Sequence, residues 1–226
     1  MSEEKAQEKA QEKAQEKAQE KAQENKEFSM IEAIKLAKSS SKKRNFTQTI
    51  DIIVNFKNID LRKPENKFSK EVILPHGRGK DVTVGIISDN IEGAYTKPFL
   101  EGLDKKAMRK MIRENDFFIC EAPLMPFVGK VLGKYLGPLG KMPSPFPPRG
   151  PTDKIVEAKK KAVRLRLTTL PTMHVPIGIE KMSDEEIEKN ANSVINELEK
   201  ILPKGKNQIK TIFIKLTMSS AVKIKV

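Results

Sequence analysis

Hydrophobic positions in this chain change period several times, and each change marks an element. "SMIEAIKLAKSS" (29–40) places Ile31, Ile34 and Leu36 or Ala37 at helical spacing, and Ser29 with Glu32 three residues on has the capping-box pattern that opens a helix. After the polar run "SSSKKRN" the period drops to two. "FTQTIDIIVNFK" sets Ile50, Ile52, Val54 and Phe56 on one face and predicts a strand. A turn, "NIDLRKPENKFS", leads to a short strand in "KEVILPHGRGK", which Pro75, Gly77 and Gly79 interrupt.

From Asp81 the texture differs. "DVTVGIIS" and "DFFICEA" are nearly continuous apolar runs, with a helix predicted between them over "KKAMRKMIREN". "LMPFVGKVLGKYLG" predicts a helix, "GPLGKMPSPFPPRGP" a loop, and "TDKIVEAKKKA" a short helix capped by Thr152. Apolar strands alternating with helices suggest a small parallel sheet covered on both faces.

Alternation returns in "VRLRLTT", where Val163, Leu165 and Leu167 face away from Arg164 and Arg166. "TMHVPIGI" is a second strand. "SDEEIEKNANSVINELEKIL" is the clearest helix, capped by Ser183, with Ile187, Ala191, Val194, Ile195, Leu198 and Ile201 or Leu202 as its stripe. "IKLTMSSAVKIKV" closes the chain as two strands joined by Thr217, Met218, Ser219 and Ser220. The order predicts a two-domain α+β protein. A split outer domain, residues 27–78 and 161–226, holds an antiparallel sheet with two helices; an inserted Rossmann-like α/β domain spans 79–160. Gly77 and Gly79 stand at the first crossing and permit the backbone angles a hinge needs.

Charge adds a partner class. The 226 residues carry a net charge of +13, and the first 24 hold seven Glu and five Lys, a net of −2, so the rest carries +15. A body that basic suggests a polyanion, because Lys and Arg at phosphates release condensed counterions. "EKAQ" repeats five times over residues 4–23. A four-residue period overshoots the helical turn by about 40°, so its alanines spiral and form no apolar face. Residues 1–26 therefore read as a solvated or disordered tail.

Catalytic chemistry finds little support. The single cysteine, Cys120, excludes an intrachain disulfide framework and a Cys-based zinc site, and no G-x-S-x-G, H-E-x-x-H or C-x-x-C occurs. His76 and His174 are far apart in sequence. The phosphate loop G-x-x-x-x-G-K-[ST] is absent, since Lys141 is followed by Met142 and Tyr135 stands five before Gly140. Gly77 and Gly79 are followed by Val82, which fails G-x-G-x-x-G. No cofactor or metal is expected. With no apolar leader and no membrane span, a cytoplasmic protein, monomeric when free, is expected. A nucleotide-dependent enzyme on the inserted domain remains the alternative.

Two stretches carry open readings. "GKVLGKYLGPLGK" sets Lys130, Lys134 and Lys141 among glycines, either so that backbone and lysines approach phosphates or so that helices pack closely. Arg44, Asn45, Phe46 and Thr47 sit where a helix hands over to a strand, and that end can lie near the 217–220 turn if the two strands are neighbours. Together they would form a surface of hydroxyls, one aromatic, one methionine and cations, suited to the riboses and phosphates of duplex RNA. The other reading is an ordinary Ser-rich hairpin with Met218 tucked into the core.

"RNFTQTIDI", "DLRKPENK", "LPHGRGK", "DFFI…LMPFVGKVLGKYLGPLGKMP" and "KLTMSSAVKIKV", in that order, resemble the ribosomal protein L1 family in its archaeal or eukaryote-like form, from about Glu27 to Val226. The resemblance implies two hinged domains and a structural role in the mobile stalk of the large subunit. Its partners would be large-subunit rRNA, the E-site tRNA whose exit the stalk accompanies, and its own messenger RNA, which it would repress. The family's RNA-contacting positions fall on Phe46, Thr47, Thr49, Thr217 and Met218. Arg44, His174, Lys210, Thr211, Ser219 and Ser220 complete the candidate RNA-binding set. The family's Gly-Pro after the methionine is Ser219–Ser220 here, and a positive φ at 219 would suit serine poorly. In the middle domain, Leu139 stands where the family usually has an arginine.

Overall fold

The computed structural model describes residues 27–42, 44–63, 66–91, 93–147 and 152–225. The EKAQ tail lies outside them. Two compact units divide the chain: residues up to Gly79 with those from Val163 on, and Lys80–Ala162.

The first unit opens with α1 (Met30–Ser40). Ser29 caps it, and the reciprocal Ser29–Glu32 bonds of the capping box are both present. Ala33, Ile34 and Ala37 form its buried stripe, whereas Ile31, expected inside, faces solvent. Ala33 and Ala37 lie four apart and let the backbone approach the sheet, and their row turns Ile31 outward. Strand β1 (Thr49–Phe56) buries Ile50, Ile52, Val54 and Phe56 and turns Thr49, Asp51, Ile53 and Asn55 outward. Strand β2 (Phe68–Ile73) follows.

The second unit begins with β3 (Val84–Ile87), then the short helix α2 (Lys97–Glu101), α3 (Lys105–Glu114) and β4 (Phe117–Glu121). Helices α4 (Met125–Val131) and α5 (Gly133–Leu139) replace the one helix expected there; the break falls at Leu132, beside Gly133. Strand β5 (Ser144–Phe146) lies within the predicted loop, and α6 (Thr152–Lys160) starts on Thr152 itself. The three strands run parallel in the order β3-β4-β5, and every residue of β4 is buried. Pro145 is accommodated because β5 is an edge strand. Alternation could not reveal β5, for only three residues pair.

The chain then returns to the first unit through β6 (Ala162–Leu167), β7 (Thr172–Ile179), α7 (Asp184–Ile201), β8 (Ile209–Leu216) and β9 (Val222–Ile224). Strands β7-β1-β8-β9 form an antiparallel sheet, and β2 pairs with β6. The apolar faces of α1, α7 and the strands share one core. The outward residues of β1, β7 and β8 stay partly or fully exposed.

Asn190 sits fully buried in the apolar stripe of α7, a polar residue the hydrophobic pattern passes over. Its amide donates to Gly77 O and Ile177 O, each at 2.8 Å, and its Oδ1 accepts from His76 N at 3.1 Å. It thus fastens the turn after β2, where the chain leaves the unit, to helix and sheet. Gly77 and Gly79 both have positive φ, 67° and 69°. A Cβ at Gly79 would lie 2.8 Å from Ile179 Cγ1, so glycine is required there for conformation and for space.

Candidate nucleic-acid interface

The candidate surface grows from one end of the antiparallel sheet. β1 pairs with β8 in a register that sets Ile50 opposite Leu216, so Thr49 meets Thr217 where the ladder ends. Thr217 N donates to Thr49 O at 3.0 Å, and Thr49 N donates to Thr217 Oγ1 at 3.1 Å. The neighbour condition on the two strands is met.

A residue that sequence reasoning missed completes the corner. Gln48 is fully buried; its Nε2 donates to Lys42 O at 3.3 Å and its Oε1 accepts from Met218 N at 3.2 Å. One amide therefore ties the helix-to-strand segment to the hairpin turn. The available signal was a polar residue on the inward phase of the strand pattern, since Gln48 precedes Ile50 and Ile52 by even steps.

That bracing leaves Phe46 51% and Met218 58% exposed. The core-packed alternative for Met218 is thereby excluded. Arg44, Thr47, Thr217 and Ser220 are exposed as well. Ser219 takes no left-handed conformation: among the described residues only Asn58 combines a side chain with positive φ. Instead Ser219 Oγ accepts from Leu216 N at 2.9 Å and donates to Ser220 O at 3.0 Å, closing the turn by side-chain bonds.

Three candidates lie apart from this corner. His174 is exposed on β7 opposite Ile53, four residues along β1 from Thr49, about 13 Å at the rise of a strand. Thr211 lies opposite Asn55, about 20 Å along, and accepts from Asn55 Nδ2 at 3.0 Å. Lys210 is the exposed residue passed over where the register shifts between Asn55 and Phe56. His174 and Thr211 share the outer sheet face with Thr49, but among the described residues no hydrogen bond links their side chains to the corner.

The electrostatics of that face are mixed. Lys215 stands opposite Asp51. Burial pushes the Asp51 carboxyl above its ordinary value, with Lys215 and His174 pulling the other way. Lys223 is held by Glu27 at 3.0 Å.

In the second unit, Lys141 donates to Ile112 O and Asn115 O at 2.8 and 2.7 Å and so caps the end of α3. A Cβ at Gly129, Gly133 or Gly137 would meet nothing within 4 Å, so close packing among the described residues does not explain these glycines. Buried Glu121 accepts from Ser88 Oγ and from Asn90 Nδ2. Among the described residues no group of three or more His, Cys, Asp or Glu could hold a metal ion, and no helix is long and apolar enough to cross a membrane.

A helix-backed antiparallel sheet whose end presents hydroxyls, two exposed apolar side chains and an arginine has the form of a nucleic-acid-binding α+β protein. Residues 36–220 match the model of the ribosomal protein L1p/L10e family. The chain is 46% identical over 210 residues to the large ribosomal subunit protein uL1 of Pyrococcus abyssi, covering 87% of this chain and 95% of that protein. It is 42% identical over 207 residues to the uL1 protein of Methanobrevibacter smithii, with 86% and 98% covered. Against that of Methanocaldococcus jannaschii it is 41% identical over 208 residues, with 87% and 95% covered. The chain belongs to the ribosomal protein L1p/L10e family. Membership makes it a ribosomal protein and not an enzyme, so the nucleotide-dependent alternative falls.

Proposed function

We propose that this protein is a structural component of the large ribosomal subunit in the cytoplasm and grips large-subunit rRNA with the Thr49–Thr217 corner. The observation that carries the reading is the outward display of Phe46 and Met218 on two segments braced by one buried amide. Apolar side chains held in water by internal bonds are suited to a partner that covers them. Hydroxyls of Thr47, Thr217 and Ser220 beside them suit 2′-hydroxyls, and Arg44 suits phosphate.

On this reading Lys80–Ala162 is a Rossmann-like domain inserted in the rRNA-binding one, and it swings with the stalk as E-site tRNA departs. The pivot belongs just beyond Gly79, because Asn190 holds His76 and Gly77 to the first unit. A messenger RNA that copies the rRNA stem would compete for the same corner, which would add repression of the protein's own message. His174, Lys210 and Thr211 would then serve a longer RNA running across the sheet face.

The test is a salt titration of binding to an rRNA stalk fragment beside a scrambled duplex of equal length. A preference for the stalk fragment that persists as salt rises is expected, and Thr217→Ala should weaken it without unfolding the protein. Equal binding to both duplexes that vanishes with salt would leave only the +15 body acting.

A further inference from the structure

The second unit holds a cationic groove that the proposed rRNA corner does not use. It lies between α3 and α5, encloses about 410 Å³, and is lined by Arg109, Arg113, Lys134 and Lys141 with Ile112, Tyr135, Pro138 and Leu139. Among the described residues no carboxylate lines it. Arg109 stands over the Tyr135 ring, 5.9 Å from its centroid, and Leu139 is 53% exposed.

Its position separates it from a nucleotide-cofactor site. Parallel α/β sheets hold such ligands outside the carboxyl ends of their strands. Lys141, in this groove, bonds Ile112 O and Asn115 O, immediately before the amino end of β4. At the carboxyl end of β4, Glu121 instead accepts from Ser88 and Asn90. Lys141 also neutralises the negative end of α3, which removes a source of repulsion for an anion beside it.

A second observation comes from the glycines. Gly133 and Gly137 lie four apart on α5, flanking Lys134, and a Cβ on either would meet open space. Glycine weakens a helix relative to alanine. Among the described residues nothing stands where those Cβ atoms would, so the bare backbone of this turn is open to an outside group.

We infer that the α3–α5 groove and its glycine stripe bind unpaired RNA. One base enters against Leu139 and the Arg109 guanidinium that lies on Tyr135, flanking phosphates meet Arg113, Lys134 and the outer edge of Arg109, and the sugar-phosphate backbone lies along Gly133 and Gly137. Stacking on an aromatic ring or a guanidinium plane within a cationic channel is the chemistry of single-strand recognition. It differs from the shape and hydroxyl readout proposed for the corner.

The experiment uses the full-length protein and two probes, a labelled eight-nucleotide oligouridine and the rRNA stalk fragment. Wild type binds both. Arg109→Ala/Arg113→Ala/Lys134→Ala lowers oligouridine affinity by about tenfold or more and flattens its salt dependence, since three phosphate contacts are removed. That variant leaves stalk-fragment binding within about threefold. Met218→Asp does the reverse. Gly137→Ala weakens oligouridine binding by about threefold or more while the melting temperature holds or rises, as expected of alanine in a helix. No oligouridine binding by wild type, or unchanged binding by the triple variant, overturns the groove. Unchanged binding by Gly137→Ala overturns the stripe. Loss of both probes in Met218→Asp would mean one shared surface and would also overturn it. Loss of stalk-fragment binding alone tests the corner and leaves the groove standing.

Discussion

The two sheets of this chain make surfaces in different ways. In the first unit β1 alternates strictly, with one face in the core and the other left to solvent. The sheet can therefore present side chains, and its end does, braced by Gln48. In the second unit all five residues of β4 are buried. A parallel sheet covered on both faces has no side chains left to offer. Its candidate binding groups stand on α3 and α5 instead. The corner is short hydroxyls fixed by backbone pairing; the groove is long cations around an aromatic ring. A strand pattern thus restricts where a partner can be met as well as where the core lies.

The largest effect should separate the units. Phe118 is buried in the second unit's core, and Phe118→Ala should cost about 3–5 kcal/mol there by leaving a cavity. Urea unfolding should then show an earlier transition while stalk-fragment affinity stays within about threefold of wild type. A loss of that affinity would show that the corner depends on the second unit. Next, Gln48→Leu removes the amide and leaves Lys42 O and Met218 N without it, for about 2 kcal/mol. Chemical denaturation should register the cost, and stalk-fragment binding should fall with it.

Met218→Asp should change stability by less than about 0.5 kcal/mol, because the side chain is exposed. Its stalk-fragment affinity should nevertheless drop about tenfold, since a carboxylate replaces apolar contact beside phosphates. Wild-type affinity would remove Met218 from the interface. The smallest effect concerns Asp51. Its raised carboxyl value means that the folded state holds the proton more tightly than the unfolded chain does. The resulting stability is present below the unfolded value and lost as pH rises through the folded one. Asp51→Asn should therefore melt about one or two degrees higher than wild type at pH 7 and together with it near pH 3. Equal melting at both pH values would mean that the outer face does not desolvate this group.

Legibility followed local bonding. Both capping boxes, at Ser29–Glu32 and Ser183–Glu186, close within three residues, and both helices begin where the pattern put them. Strands β1, β6 and β8 announced their buried faces through alternation, whereas β2 does not alternate. Strand β5 was hidden because it pairs for three residues only, and the division of α4 from α5 because a break at Leu132 leaves hydrophobic spacing almost intact. Within the candidate site, Thr49 and Thr217 could be named from the sequence, whereas Gln48 showed only its inward phase and not its partner: its bond to Met218 spans 170 positions. Asn190 was hidden in the same way, with partners 113 and 13 residues away.

Most helices and strands, the basic body and the residues of the hairpin turn could be read from the chain alone, because propensity, periodicity and charge act over a few neighbours; the five-residue helix Lys97–Glu101 could not. Only the tertiary structure decided that Met218 faces water, that Ser219 closes its turn without a left-handed backbone, and that His174 and Thr211 stand away from the corner. Those outcomes depend on strand register, on the buried Gln48 amide and on the Ser219 hydroxyl. The energy of such contacts is settled by groups that the chain brings together across long loops, and local pattern carries no record of them.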